Sequence, residues 1–376
     1  MGKQAPYRVV VWGPGYTGQQ VLRELLRRPE FEVGGCLGYS THKAGIDVGT
    51  LVGTAPIGVA VTLDQEEILA LEADVVVYTG RFMLDTAQQD GEIIRILRSG
   101  KNVVAATAYH FPWQRGPEHV EPLQEACRHG NAALLGTGVH PGWFIERVVP
   151  LMTGLCMSVE RVEIAETVDL SHHSGEAVRG MGFGLPPERL GRRKRKWIFS
   201  RYYFDSLAYL AHVLGVRLDR ITADIRYRTA ERRINAAAVT VEPGTVASLN
   251  GWWTGYRDGE PFLVLRERLY LDPTHVEDTE ITSPDFYDVH ISGKPLDVAT
   301  RVNMFVTDPQ DVLGIDDAQC GANLATAVQL VQTIPAVVAA DPGILLPNLF
   351  AHSTTDFRAV GDRGYFPPQT VPEEIL

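Results

Sequence analysis

Three glycines near the start of the chain lie between a run of β-branched residues and a helical pattern. The run Val9–Trp12 is followed at once by Gly13-Pro14-Gly15-Tyr16-Thr17-Gly18. The first glycine allows a tight turn, the second lets a diphosphate approach the backbone, and the third lets helix and strand pack closely. The helix N-terminus adds N–H groups and a partial positive charge. The segment predicts a dinucleotide-binding turn; the alternative is a glycine-rich turn without a ligand.

Three further segments should meet the glycine turn at one edge of a sheet. Strands and helices alternate over roughly the first 140 residues, which predicts a doubly wound parallel sheet with the carboxyl ends of its strands along one edge. The segments that follow buried-type strands are Thr79-Gly80-Arg81-Phe82, Ala106-Thr107-Ala108-Tyr109-His110 and Gly136–Trp143. We expect the first segment, together with Ala106 and Thr107, to bind the dinucleotide. The others should reach the nicotinamide and the substrate.

Side chains able to move a proton lie in and beyond the last two segments. Hydride transfer requires a proton donor or acceptor with a pKa near the working pH. We predict Tyr109 or His110 in this role. His140 on the next loop and Glu166 at the end of the first strand of the second domain are further catalytic candidates. The alternative is that these are ordinary loop residues, because histidine titrates in this range in many settings.

Aromatic residues predict an apolar substrate pocket beside these groups. Trp143 and Phe144 are expected to border the nicotinamide, and His172 to line the pocket. The alternative for the two aromatic residues is packing between domains. An apolar pocket suits a small hydrophobic ketone or amine. Aromatic residues that could continue the wall are Trp197, Tyr202, Tyr203, Trp252 and Trp253.

The segment after the second strand bears on the choice of dinucleotide. NAD enzymes usually carry Asp or Glu there to bind the adenosine ribose, whereas this chain has Ser40-Thr41-His42-Lys43. Hydroxyls and a cation suit a 2′-phosphate, so we predict NADP bound by Ser40, His42 and Lys43, with NAD as the alternative cofactor. Lys43 as a solvated loop charge is the other interpretation. Asn323, near the start of a late helix, is predicted to bind the nicotinamide carboxamide or ribose, or else to cap that helix.

The pattern changes near residue 146, where short alternating strands with turn signals replace the strand–helix alternation. We predict an N-terminal Rossmann domain over residues 1–145 and an α+β substrate and dimerisation domain with a mostly antiparallel sheet over 146–317. A helix within 318–345 should return to the first domain, and the tail 346–376 should form an arm across a partner subunit. The predicted strands of the second domain include Val159–Ala165 and Ala236–Glu242.

Composition narrows the class of protein. The chain has 376 residues, 45% of them hydrophobic, and a net charge of −11, which argues against a nucleic-acid partner. The basic run Arg189–Lys196 is interpreted as a solvated or subunit-contacting loop rather than a nucleic-acid patch. We expect no membrane span and no secretory signal, hence a cytoplasmic location. No metal site or disulfide framework is predicted, because the cysteines lie far apart. They are Cys36, Cys127, Cys156 and Cys320.

Four segments together carry a resemblance to a known family. They are Gly13–Gly18, Lys43–Gly49, Gly136–Gly142 and Ile334–Val338. On these the chain resembles the dihydrodipicolinate-reductase-like group, and more closely its 2,4-diaminopentanoate dehydrogenase branch, which includes the native amine dehydrogenases. The resemblance implies a Rossmann domain with an α+β substrate domain, an NAD(P) cofactor and a homodimer. It also implies reversible oxidation of a primary amine to an imine and then to a carbonyl compound and ammonia.

The chain departs from that branch at one position. The usual catalytic glutamate follows the strand equivalent to Val103–Ala106, where this chain has Thr107-Ala108-Tyr109-His110. The lysine expected after paired histidines in a dihydrodipicolinate reductase is also missing after His172-His173. A dehydrogenase that acts on another carbonyl compound or on a cyclic imine therefore stays open, as does a catalytically silent dinucleotide-binding sensor.

Overall fold

A computed structural model describes residues 5–80, 86–106, 109–173, 176–190, 200–306 and 321–347. Its first sheet has seven strands, which all run parallel. They are β1 (Tyr7–Trp12), β2 (Phe31–Leu37), β3 (Val61–Thr62), β4 (Val75–Tyr78), β5 (Asn102–Ala105), β6 (Ala133–Gly136) and β15 (Gly343–Leu345). Their spatial order is β15-β6-β5-β4-β1-β2-β3. The predicted doubly wound parallel sheet is confirmed.

Helices cover both faces of the first sheet, because its central strands are apolar on both sides. They are α1 (Tyr16–Leu26), α2 (Val48–Leu51), α3 (Gln65–Ala70), α4 (Thr86–Arg98) and α5 (Pro117–Gly130). On one face Val9 and Val11 pack with α1, and on the other Val10 and Val76 pack with α4 and α5. The carboxyl ends of β1, β4, β5 and β6 are thereby held along one edge.

Two late helices close the face beside α1. The returning helix, Gly321–Gln332, is followed by a shorter helix, Ile334–Val338. Residues 321–338 are long and apolar enough to cross a membrane by length and composition. In the structure, however, the helical run breaks at Thr333, and Leu330 and Ile334 are fully buried in the cluster that contains Leu22. The predicted start of this helix before residue 321 and most of the predicted C-terminal arm lie outside the described residues.

The second sheet has six strands in the order β14-β13-β7-β12-β11-β8. Their bounds are β7 (Ser158–Asp169), β8 (Arg220–Thr229), β11 (Val246–Arg257), β12 (Glu260–Tyr270), β13 (Asp285–Lys294) and β14 (Val298–Met304). The β7–β12 pair is parallel and the other pairs are antiparallel, which confirms the mostly antiparallel α+β prediction. The helices described in this part are α6 (Val149–Thr153), α7 (Glu176–Met181), α8 (Pro187–Leu190) and α9 (Ser200–Val213).

Two strand predictions were wrong. The first strand of this sheet was predicted to end at Ala165, but β7 continues to Asp169 because β12 and β13 pair with it on both sides. Glu166 therefore lies inside a central strand and not at its end. The predicted strand Ala236–Glu242 is instead a small antiparallel ribbon of β9 (Ile234–Asn235) and β10 (Thr240–Val241).

Candidate active site

The glycine turn has the shape that its sequence predicts. Gly13 has a φ of +99°, and a Cβ placed on it would lie 2.6 Å from the Thr79 carbonyl oxygen. A Cβ on Gly18 would overlap the Gly13 carbonyl oxygen and lie 2.7 Å from Thr79 Oγ1. A Cβ on Gly15, in contrast, would have its nearest neighbour 4.0 Å away. Two glycines thus permit close packing, while Gly15 faces open space in which a diphosphate fits.

The surroundings of this turn also suit a dinucleotide. Tyr16 begins α1 behind a glycine cap, and the first turn carries no acidic residue to compete with phosphate. Thr79 Oγ1 donates to the Gly13 carbonyl oxygen at 2.7 Å, beside Gly80. Thr17 Oγ1 donates to Asn323 Oδ1 at 3.4 Å, so the returning helix begins next to the first turn of α1. Ala106, half-buried, directly follows β5.

The predicted 2′-phosphate residues lie on a short 3-10 turn after β2. Lys43 Nζ donates to the Pro14 carbonyl oxygen at 2.6 Å, which places this ammonium group against the glycine turn. Ser40 Oγ lies 2.9 Å from His42 Nδ1. Partial burial lowers the pKa of Lys43. Arg81, Phe82 and Thr107, also predicted to contact the cofactor, lie outside the described residues.

A row of polar side chains crosses the inner face of the second sheet. Tyr287 of β13 pairs with Glu166 of β7, and Glu166 pairs with Glu267 of β12; we call these three residues the polar row. All three are less than one-tenth exposed. The next two rows on one side of it are apolar: Val289, Ile164 and Leu265, then Ile291, Val162 and Leu263.

The adjacency of Glu166 and Glu267 has an electrostatic cost. Neighbouring strands lie about 4.8 Å apart. Two unit charges about 5 Å apart repel by about 3 kcal/mol in an effective dielectric constant of about 20. A positive charge beside the polar row therefore stabilises the folded protein.

His140 lies against the polar row. Its Nδ1 is 2.6 Å from Glu166 Oε2, and its side chain is 1% exposed. The Tyr287 hydroxyl donates to Glu166 Oε1 at 2.7 Å, and the Tyr203 hydroxyl, from α9, donates to Glu267. Burial by itself would lower the pKa of His140, but the Glu166 carboxylate raises it above its usual value. The Glu166 carboxylate thus favours the cationic form of His140.

The far side of the His140 ring has a different character. Among the residues that the structure describes, His140 Nε2 is buried and has no hydrogen-bond partner. The ring centroid lies 5.0 Å from that of Tyr203, in an edge-on arrangement, and 5.8 Å from that of Tyr287. A buried N–H donor without an acceptor is costly, so Nε2 suits a polar group that arrives with a ligand.

Glu146 holds the turn that carries His140. Between β6 and α6 the segment Val139–Val148 forms wide helical turns, with non-helical dihedral angles at His140, Pro141 and Gly142. The Gly142 N–H donates to Glu146 Oε2 at 2.7 Å. The Ser206 hydroxyl of α9 donates to the other carboxylate oxygen. One buried carboxylate thus ties the β6 edge of the first sheet to a helix of the second domain.

His110, on the segment that follows β5, contacts the same residues. Its Nε2 lies 3.2 Å from Ser206 Oγ and 3.6 Å from Glu146 Oε1. Burial lowers the pKa of His110 to about 4, so its imidazole is neutral at neutral pH. The structure therefore brings His110, His140 and Glu166 to one region, and the pKa of His140 is shifted in the opposite direction to that of His110.

The model for the C-terminal domain of 2,4-diaminopentanoate dehydrogenase matches residues 143–349, more than half of the chain. The chain belongs to the 2,4-diaminopentanoate dehydrogenase family. Membership makes it an oxidoreductase of the class that acts on CH–NH2 groups with a nicotinamide cofactor, and it confirms the family resemblance drawn from the sequence.

Individual relatives of the family agree with this assignment. An amine dehydrogenase of Streptomyces virginiae is 27% identical over 350 residues, which cover 89% of this chain and 93% of the relative. The 2,4-diaminopentanoate dehydrogenase of Acetoanaerobium sticklandii is 23% identical and covers 90% of this chain and 91% of its own. The structure of the amine dehydrogenase of Mycobacterium smegmatis superposes with a TM-score of 0.77 at 21% identity, covering 93% of this chain and 98% of that one.

The other residues predicted for the site have different surroundings. The Tyr109 hydroxyl donates to Asp90 of α4 at 2.6 Å, in the core beneath the first sheet. Phe144 is fully buried and stacks on Tyr287 with centroids 4.1 Å apart, and Trp143 is partly buried beside it. His172 is exposed beyond the end of β7.

The predicted aromatic wall divides at β11. Trp253 is buried against Tyr203, with centroids 4.2 Å apart. Trp252 lies on the opposite face of the sheet, between the guanidinium groups of Arg226 and Arg266. Because successive residues of a strand face opposite sides, both tryptophans could not line one wall, and the prediction for Trp252 was wrong.

Sequence reasoning missed Glu146, Ser206, Glu267, Tyr287 and Asp285. Asp285, also on the inner face of β13, accepts the Ala322 N–H of the returning helix at 2.9 Å. Burial raises the pKa of Asp285 to about 7, and Glu166 adds to the shift. A sequence signal existed for three of them, because Glu267, Tyr287 and Asp285 occupy alternating positions that are otherwise apolar.

Proposed function

We propose that the protein is an NADP-dependent amine dehydrogenase that catalyses reversible hydride transfer between nicotinamide and the carbon of an amine or imine. In the reductive direction it would aminate a small apolar ketone or aldehyde with ammonia. One observation carries the proposal: the buried ion pair of His140 and Glu166 lies beyond β6, on the edge where the glycine turn can hold a dinucleotide.

The cofactor contacts follow from the strand edge. Gly13, Gly15 and Gly18 with the first turn of α1, Tyr16 and Thr17, would hold the diphosphate. Thr79, Gly80, Ala106 and Asn323 would border the nicotinamide half. When bound, the nicotinamide supplies or accepts the hydride at its C4 position.

The preference for NADP rests on Ser40, His42 and Lys43. The Lys43 ammonium group is already positioned at the glycine turn by its hydrogen bond to Pro14. A hydroxyl and an imidazole precede it, and no acidic residue lies between Gly38 and Gly45 to repel a 2′-phosphate. A charge-assisted contact between an ammonium group and a phosphate is about twice as strong as a neutral hydrogen bond.

His140 would handle the proton of the reaction. Ketone and ammonia combine to a carbinolamine, whose carbon carries a hydroxyl and an amino group. The His140 Nε2–H donates its proton to the hydroxyl, the C–O bond breaks, and water leaves while the nitrogen lone pair forms the iminium. In the oxidative direction the neutral imidazole takes a proton from the attacking water. Glu166 keeps the cationic form available through its contact with Nδ1.

The proposed subunit arrangement is a homodimer in the cytoplasm. The outer face of the second sheet carries a groove of about 580 Å³ lined by both signs of charge, among them Glu163, Asp288 and Arg266, around Trp252. A face with both signs can pair with its own copy about a two-fold axis. Trp252→Glu should therefore yield monomers by light scattering, and a variant that stays dimeric would argue against this face.

Absorbance at 340 nm tests the proposed reaction directly. The full chain is mixed with NADPH and cyclohexanone, with and without ammonium chloride. Oxidation of NADPH that requires ammonium supports the amine dehydrogenase. Oxidation without ammonium indicates a carbonyl reductase of the same fold, and tight NADPH binding with no turnover of a ketone panel indicates a dinucleotide-binding sensor.

A further inference from the structure

The polar row contains a second carboxylate that the proposed proton transfer does not use. Glu267 is 5% exposed and occupies the position next to Glu166 on the adjacent parallel strand. Leu265 and Leu269, two residues before and after it, are buried on the same face. A carboxylate at an apolar position of a core strand has to be compensated, and it is retained where a function needs it.

Glu267 lies on the same side of the sheet as His140. Tyr203 connects them, because its hydroxyl donates to Glu267 while its ring packs edge-on against the His140 ring at 5.0 Å. His140 in turn contacts Glu166 at 2.6 Å. The two carboxylates, the imidazole and the rings of Tyr203 and Tyr287 thus lie next to one another on the inner face of the second sheet.

These side chains match the two polar substituents of a carbinolamine carbon. His140 Nε2 is a buried donor without a partner among the described residues, and it suits an oxygen. Two adjacent carboxylates and electron-rich ring faces suit a cation instead. A carbinolamine carries both an oxygen and a nitrogen on one carbon, and its precursor ammonium and product amine are cations at neutral pH.

We infer that Glu267 is a further binding residue of the proposed reaction, whose carboxylate, beside Glu166, holds the cationic nitrogen of ammonium or of a primary amine. This inference rests on the proposed function for its place in the cycle. The binding of a primary ammonium ion, however, can be measured without turnover.

The decisive variant is Glu267→Gln, because glutamine keeps the volume and an acceptor for the Tyr203 hydroxyl but removes the charge. Glu160→Gln is the matched control, since Glu160 is an exposed residue of the same β7 strand and pairs with Lys294. Calorimetry with n-butylammonium chloride on the full chain with NADP⁺ measures binding. Potassium chloride at equal ionic strength corrects for salt.

We expect Glu267→Gln to weaken n-butylammonium binding, and to raise the KM for ammonium, by at least about tenfold. Glu160→Gln should change neither by more than about twofold, and NADPH binding should be the same in all three proteins. Glu267→Asp, which keeps the charge, should bind better than Glu267→Gln. This order also separates loss of charge from loss of folding, as does an unchanged melting temperature.

Two results would overturn the inference. One is n-butylammonium binding by Glu267→Gln equal to that of the wild type. The other is a well-folded wild type that does not bind n-butylammonium at all. Ammonia-dependent turnover together with either result would leave the proposed reaction intact. If n-butylammonium binding depends on Glu267 but no turnover occurs, the proposed reaction is refuted. The inference that Glu267 binds a primary ammonium ion is then still supported.

Discussion

His140 Nδ1 lies 2.6 Å from Glu166 Oε2, and both side chains are less than one-tenth exposed. The two residues come from different halves of the protein, since one follows β6 of the parallel sheet and the other lies in β7 of the mixed sheet. This contact therefore joins the edge of the first sheet to the inner face of the second sheet. The charge state of one histidine then depends on how the two halves meet.

Glu166→Gln should move the pH dependence of amination to lower pH. The Glu166 carboxylate holds the pKa of His140 above its usual value, and the cationic form is the proposed proton donor. Without that carboxylate, kcat/KM should begin to fall about one pH unit earlier or more as pH rises. A pH–rate profile from pH 5 to 10 checks this, with Glu160→Gln as control. A profile that keeps its wild-type midpoint would contradict the role of Glu166.

Lys43→Ala should weaken NADPH binding by about tenfold while leaving NADH binding within about twofold, because the 2′-phosphate is the group that Lys43 is proposed to contact. Fluorescence titration with both dinucleotides measures the ratio. Lys294→Ala is a suitable control, since Lys294 is an exposed residue of the second sheet paired with Glu160. Equal losses for both dinucleotides would mean that Lys43 only supports the glycine turn.

Gly15→Ala and Gly18→Ala should separate cofactor binding from folding. The Gly15 position has room for a methyl group and an ordinary φ of −74°, so the variant should keep its stability but lose most of its dinucleotide affinity. A methyl group at Gly18 would overlap the Gly13 carbonyl oxygen. Gly18→Ala should therefore lower the free energy of unfolding by about 1–3 kcal/mol, in addition to weakening dinucleotide binding. Urea unfolding and dinucleotide titration on both variants test this. Full NADPH affinity in Gly15→Ala would argue against a diphosphate at this turn.

Asp285→Asn should stabilise the protein at alkaline pH. Burial raises the pKa of Asp285 from 3.8 to about 7. Between these values the folded protein binds a proton that the unfolded chain has lost, so the free energy of unfolding falls as pH rises through this range. Asparagine can still accept the Ala322 N–H and carries no charge. We expect the free energy of unfolding of Asp285→Asn to exceed that of the wild type by up to about 4 kcal/mol at pH 8, and to match it near pH 4.

Asp272→Asn provides a control of opposite sign. Burial opposes ionisation of Asp272, but contacts with Thr274 and Arg232 lower its pKa to about 2. Its ionised form therefore stabilises the fold above about pH 4, and this contribution is lost as pH falls through about 2. The variant should be less stable than the wild type at pH 8. Urea unfolding of Asp285→Asn that follows the wild type at every pH would contradict the buried-carboxyl interpretation.

The dinucleotide side of the site could be predicted from local sequence. A glycine turn between one strand and one helix has its geometry fixed within a few residues, and Gly13, Gly15 and Gly18 behave as their spacing indicates. The parallel sheet also follows from local alternation. Strand β15 could not be recognised in the same way, because its three residues, Gly343–Leu345, form a strand only through pairing with the distant β6.

The part of the candidate site on the second sheet could not be predicted from local sequence, because it depends on the register between distant strands. Glu166 was predicted as a site residue, but at the end of a strand, because Glu166-Thr167 interrupts the apolar pattern. Its neighbours Glu267 and Tyr287 become visible only once β12 and β13 are aligned with β7. Tyr109 and His110 are adjacent in sequence, yet their side chains reach opposite sides, one to Asp90 and the other to Ser206. Sequence proximity to a strand end does not determine the direction of a side chain.

The pairing of β15 with β6, which joins residue 343 to residue 133, has a consequence for synthesis on the ribosome. The helix α1 is synthesised before the helix that covers Val21, Leu22 and Leu25, because the covering helix lies much later in the chain. Until then the nascent protein presents an uncovered apolar stripe, a surface that chaperones bind. Cofactor binding should therefore follow the synthesis of that late helix, because Asn323, a proposed cofactor contact, lies on it.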